Sequence, residues 1–146
     1  MQTSQSKTKM VEPGILNLTL LEQYKSRKNN LLERLINAYL EEAPKSFQAL
    51  RKAIEVGSYD GIRMHAHALK STSYNLGASR LSKMCQELEV AACARDNPGI
   101  VDCVKRIGPE CFEVEQALCT ELYRLKSGPD APKGQMAVDV FDQDWN

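Results

Sequence analysis

The sequence predicts an all-α protein, an antiparallel up-and-down four-helix bundle preceded by a short extra helix. Three observations carry this. Apolar residues recur at helical spacing through most of the chain, no segment shows the strict alternation of a strand, and Gly- or Pro-bearing turns separate the periodic segments at short intervals. Short connections between amphipathic helices leave consecutive helices antiparallel.

Residues 1–13 read as a flexible leader ending at Pro13-Gly14. Thr19-Leu20-Leu21-Glu22 has the capping-box form, which predicts a short first helix from Thr19 to about Ser26. A second helix is expected from Asn29 or Asn30, along Leu32, Leu35, Ile36, Tyr39 and Leu40 and then Phe47, Leu50 and Ile54. Pro44 lies inside it and should kink or briefly break it, because proline lacks the N–H that the helix ladder needs. Gly57 ends this helix, and Ser58 can cap a third spanning Tyr59 to Leu76. Ser79 can cap a fourth along Leu81, Met84, Cys85, Leu88 and Ala92. Asp96-Asn97-Pro98-Gly99 marks a stop and a new start, with Pro98 suited to a first turn. The fifth helix then runs to about Lys126 with a kink expected at Gly108-Pro109. The bundle domain is thus assigned to residues 14–126. From residue 127 the chain turns rich in Gly, Pro and Asp, which reads as a disordered acidic tail. Val138, Val140, Phe141 and Trp145 among the acids leave a short docking segment as the other reading of that tail.

Composition excludes several classes. The chain is 42% hydrophobic and 26% charged, the balance of a globular domain. Nineteen basic residues match nineteen acidic ones, so no net field draws the protein to nucleic acid or an anionic membrane. Apolar runs are too short to span a bilayer, and the first residues show no apolar signal segment, so the expected compartment is the cytoplasm. The five cysteines (Cys85, Cys93, Cys103, Cys111, Cys119) contain no CxxC spacing and read as reduced thiols, with Cys93 the one expected at the surface.

Both histidines fall in the third helix, within HAHALKSTSYNLGA. At 100° per residue, Ile62, Ala66, Leu69, Ser73 and Leu76 share an arc of about 80°, the core face. His65 lies about 60° from the centre of that arc and His67 about 140°, so His65 borders the core and His67 faces solvent. Arg63, Met64, Lys70, Ser71 and Tyr74 share its outward side, with Lys70 one turn on and Arg63 one turn back. The neutral imidazole is a competent nucleophile at physiological pH. A lysine beside it can offset the charge of a phosphoryl group. Zinc binding by His65 and His67 is disfavoured, because positions i and i+2 point roughly 200° apart on a helix. No metal and no cofactor is expected.

His67-Ala68-Leu69-Lys70-Ser71-Thr72-Ser73, followed by Asn75-Leu76-Gly77-Ala78, resembles the histidine-containing phosphotransfer (HPt) domain of bacterial multistep phosphorelays. The family pattern is H-x-L-K-G followed by two small residues, then leucine and glycine. Leu40 to Lys45 also looks like the family's second helix, and the likeness covers about residues 15–125. Ser71 stands where the family most often has glycine, a difference that bears on how closely a partner approaches. The resemblance implies a phosphoryl carrier rather than an enzyme. His67 would take a phosphoryl group from a receiver-domain phospho-aspartate and pass it to another receiver, with Lys70 as charge partner. Arg63, Met64, Ser71 and Tyr74 would belong to the docking surface, together with part of the Leu31–Leu40 stripe. The receiver supplies Mg²⁺ and most of the electrostatic catalysis. Partners would be response-regulator receiver domains and a hybrid sensor kinase, and the protein would be a free-standing monomer. The sequence contains no GxxxxGK[ST] phosphate loop. A helical adapter or antagonist that sequesters a receiver without being phosphorylated is the alternative, and a thiol- or metal-based sensor a distant third.

Overall fold

The computed structural model describes residues 14–127, so the expected leader and all but the first residue of the expected tail lie outside the described residues. Five helices make up this part: α1 (Leu18–Lys25), α2 (Leu31–Glu55), α3 (Tyr59–Asn75), α4 (Ser79–Cys93) and α5 (Asn97–Ser127). No strand occurs among the described residues. α3 packs most extensively against α4 and also against α2, while α5 packs on α4 and closes onto α2. With three-residue turns between them, these four helices alternate in direction, and α1 packs against α2.

α1 begins differently from the capping-box expectation. The cap is Asn17, whose Oδ1 accepts from the Leu20 N–H at 3.1 Å, so Thr19 lies inside the helix. Asn17 prevails because its own N–H donates to the Gly77 carbonyl at 2.9 Å, which pins the start of α1 to the α3–α4 turn. α2 follows two asparagines in the left-handed region, Asn29 (φ 65°) and Asn30 (φ 52°), a conformation asparagine tolerates better than most residues.

The break expected at Pro44 is absent, and α2 runs unbroken through it. Ala43 and Phe47 on either side are almost fully buried, so core packing offsets the one lost hydrogen bond. α5 is helical on both sides of Gly108-Pro109, and the neighbouring Ile107 and Cys111 are fully buried. Ser58 caps α3 as expected, accepting from the Gly61 N–H at 3.0 Å. Ser79 does not cap α4: the cap position is Ala78, which is fully buried and has no side-chain acceptor. Asp96 serves α5, accepting from the Gly99 N–H at 3.0 Å.

The core stripe of α3 is the one its helical phase requires. Ile62, Ala66, Leu69, Ser73 and Leu76 are all at most 2% exposed. They meet Leu32, Ile36 and Tyr39 of α2, Leu81, Cys85 and Leu88 of α4, and Ile107, Val114 and Leu118 of α5 in one continuous core.

Candidate functional site

The outward side of α3 carries the candidate residues. His67 is 61% exposed at its side chain, Met64 is 59% exposed and Tyr74 64%; Arg63 and Ser71 are exposed and His65 is half-buried. Arg63 turns back to Asp60 at 3.4 Å. Lys70 is only 26% exposed at its side chain, because it leans across the helix interface.

What draws it there is Glu89 of α4. One oxygen of that carboxylate lies 2.8 Å from His67 Nδ1 and the other 2.7 Å from Lys70 Nζ. A single carboxylate therefore joins the two α3 residues that the sequence singles out. Partial desolvation works against its charge, but hydrogen bonds and attraction from Lys70 and His67 prevail and hold the Glu89 carboxyl below its ordinary range. Ionised, Glu89 can only accept hydrogen bonds, so the Nδ1 facing it carries a proton. In the neutral ring the lone pair then belongs to Nε2, the nitrogen turned away from Glu89.

Sequence periodicity does not reveal Glu89, which lies just beyond the α4 core stripe as one of many surface charges. Its signal is the register of a tight helical hairpin. His67 stands eleven residues before Ala78 and Glu89 eleven after it, so antiparallel helices joined at that turn bring the two level.

Beneath the site, burial pushes the Cys85 thiol up to about 12, helped by the Glu89 charge and opposed by Lys70. Cys85 is thus a neutral core thiol. Cys103 and Cys111 are also buried, Cys119 is partly so, and Cys93 is the exposed one, as expected. Among the described residues no group of three His, Cys, Asp or Glu side chains could hold a metal ion, and no helix is long and apolar enough to cross a membrane. Of the α2 stripe, Leu32, Ile36 and Tyr39 belong to the core, while Leu31, Leu35 and Leu40 remain partly open.

The site is thus an exposed imidazole on the side of a four-helix bundle, braced at Nδ1 by a carboxylate from the neighbouring helix. The Hpt domain model matches residues 34–128, more than half of the sequence, and the chain belongs to that family. Histidine phosphotransfer in a phosphorelay is accordingly its role, and interaction with receiver domains and kinases goes with it. The structure is similar in fold to the crystal structure of histidine-containing phosphotransfer protein B (HptB) from Pseudomonas aeruginosa PAO1. That similarity has a TM-score of 0.73 at 21% identity, over 77% of this chain and 98% of the other. No curated protein sequence matches the chain significantly.

Proposed function

We propose that His67 is the phosphoryl acceptor and that the protein relays phosphate from one receiver domain to another. The observation that carries this reading is the unequal environment of the imidazole: Nδ1 is held by Glu89 and Nε2 is left on the exposed face. The Nε2 lone pair attacks the phosphorus of a receiver phospho-aspartate. The P–N bond forms as the acyl P–O bond breaks, and the aspartate leaves as a carboxylate. The Nδ1 proton stays on the ring, hydrogen-bonded to Glu89, and no other proton need move. Reversal of the same step onto a second receiver's aspartate completes the relay.

Lys70 supplies positive charge one helical turn from the acceptor, and its tie to Glu89 fixes where that charge sits. Arg63, Met64, Ser71 and Tyr74 surround His67 as the surface on which a receiver docks. Ser71 lies on the same exposed face one turn beyond His67, where it narrows the approach and offers a hydroxyl to a phosphoryl oxygen.

The test is incubation with a phosphorylated receiver, reading acid-labile, base-stable label on this protein. Label is expected in the His65→Gln variant and absent in His67→Gln. Label that survives in His67→Gln and disappears in His65→Gln overturns the assignment. Tight receiver binding with no transfer of label to the wild-type protein would instead establish the adapter reading.

A further inference from the structure

The end of the bundle from which the last residues depart is markedly basic. Lys25 at the end of α1 and residues 26–30, which join α1 to α2 and include Arg27 and Lys28, are all exposed. Lys25 pairs with Glu22 at 3.6 Å, whereas Arg27 and Lys28 make no ion pair among the described residues. Arg34 spends its Nε–H on the Asn29 carbonyl rather than on a carboxylate. The same end holds an open hollow lined by Lys25, Arg27, Leu31, Leu125 and one acid, Glu33, whose carboxylate lies 3.9 Å from Lys126; both leucines are only partly buried. Leu125 is two residues from the end of α5, so residues 128–146 begin beside this hollow.

Those residues have the complementary chemistry. They carry four aspartates (Asp130, Asp139, Asp142, Asp144) against one lysine, Lys133, and the acids interleave with Val138, Val140, Phe141 and Trp145. A Gly- and Pro-rich stretch, 128–134, separates the acidic-apolar stretch from α5. Fourteen residues from Ser127 to Phe141 span at most about 50 Å when extended, ample to fold back a short way. A tether of this length places the segment at an effective concentration on the order of 1 mM, so a contact with an intrinsic Kd of roughly 0.1 mM is closed about ten times as often as open.

We propose that residues 138–145 dock on this basic end, with Phe141 and Trp145 over the Leu31–Leu125 hollow and the aspartates against Arg27, Lys28 and Arg34. The segment thereby covers apolar surface at the head of α2 that would otherwise be open to a partner.

Trp145 is the single tryptophan of the chain, so its fluorescence reports the contact in the full-length protein without a label. At low salt the emission should be blue-shifted relative to free N-acetyltryptophanamide and several-fold less quenched by acrylamide, at all protein concentrations. The Arg27→Glu/Lys28→Glu double variant should lose this protection, while Lys45→Glu/Arg51→Glu on the other half of α2 should keep it. High salt should weaken the shift as screening shortens to about 3 Å at 1 M. A fully exposed indole in the wild-type protein overturns the proposal, as does protection that survives in Arg27→Glu/Lys28→Glu. Protection that grows with protein concentration assigns the hollow to a second copy and equally overturns it.

Discussion

At His67 the two ring nitrogens differ because, among the described residues, only Nδ1 has a protein partner, and that partner determines what the other nitrogen can do. Replacing Glu89 with alanine frees the ring to rotate and to carry its proton on either nitrogen, and it releases Lys70 as well. Loss of such an orienting partner typically costs roughly tenfold to a hundredfold in activity, and a drop of that order in the phosphotransfer rate to His67 is expected. Glu89→Gln should recover much of it, because the carboxamide oxygen still accepts from Nδ1–H; rapid-quench transfer from one phosphorylated receiver to both variants checks the ordering. The same carboxylate makes a pH prediction. Its carboxyl is held below the ordinary range in the fold, so its ionisation favours the folded state at neutral pH. That contribution is present above the unfolded value of about 4.3 and fades as pH falls through the lower folded value. Urea unfolding should therefore show wild type more stable than Glu89→Gln at pH 7, with the gap closing in acid. His67 was legible in the sequence because helical phase alone turns it outward. Glu89 was not, because its role depends on the register between two helices.

The helices show where local chemistry decides and where packing overrides it. α2, α3 and α4 end with the same arrangement, in which a left-handed residue lets two successive N–H groups reach back to the last turn. Gly57, Gly77 and Arg95 hold the left-handed position, and the closing bonds are Ser58 N–H to Ala53 O, Ala78 N–H to Ser73 O and Asp96 N–H to Ala91 O, each 2.9 Å. Two of these ends were legible from their glycines; the third rests on an arginine whose guanidinium stacks over Tyr59 at 5.2 Å. Pro44 shows the reverse, since buried neighbours on both sides override a local break signal. The two glycines themselves should respond unequally to alanine. At Gly57 (φ 74°) a Cβ meets nothing within 4 Å, so Gly57→Ala should cost only the left-handed penalty, about 1–2 kcal/mol. At Gly77 (φ 77°) the Cβ would fall 2.8 Å from Asn17 Cβ and 2.9 Å from Asn17 N. Gly77→Ala therefore also displaces the Asn17 N–H bond that pins α1 and should be clearly the more destabilising of the two. Paired denaturant titrations decide the order, and amide exchange should show α1 loosened only in the second.

Across the whole molecule, one bundle must both hold itself together and leave a surface for partners, and on the proposed reading α3 divides those tasks between its faces. Three-residue turns and continuous apolar stripes made the antiparallel architecture legible, since the helices have no other compact way to bury those stripes. The division of α2 was harder to read, because six apolar residues form one wide stripe in sequence and only the packing of α3 and α5 decides that Leu32, Ile36 and Tyr39 belong inside. The two faces of α3 should separate cleanly by substitution. Leu69 is 1% exposed in the centre of the core, so Leu69→Ala removes buried methyl groups and should cost about 2–5 kcal/mol. That is a large share of a domain stability of roughly 5–15 kcal/mol. Met64 and Tyr74 lie on the opposite side and are more than half exposed. Truncating both to alanine should leave stability within about 0.5 kcal/mol of wild type, as for surface positions generally. Receiver affinity should nonetheless fall by about tenfold or more, because aromatic residues central to an interface carry a disproportionate part of its binding energy. Calorimetric unfolding and receiver titration on the same two variants measure both quantities. A Met64→Ala/Tyr74→Ala protein that binds receivers as wild type does would place docking on another face and leave these two side chains as ordinary exposed surface.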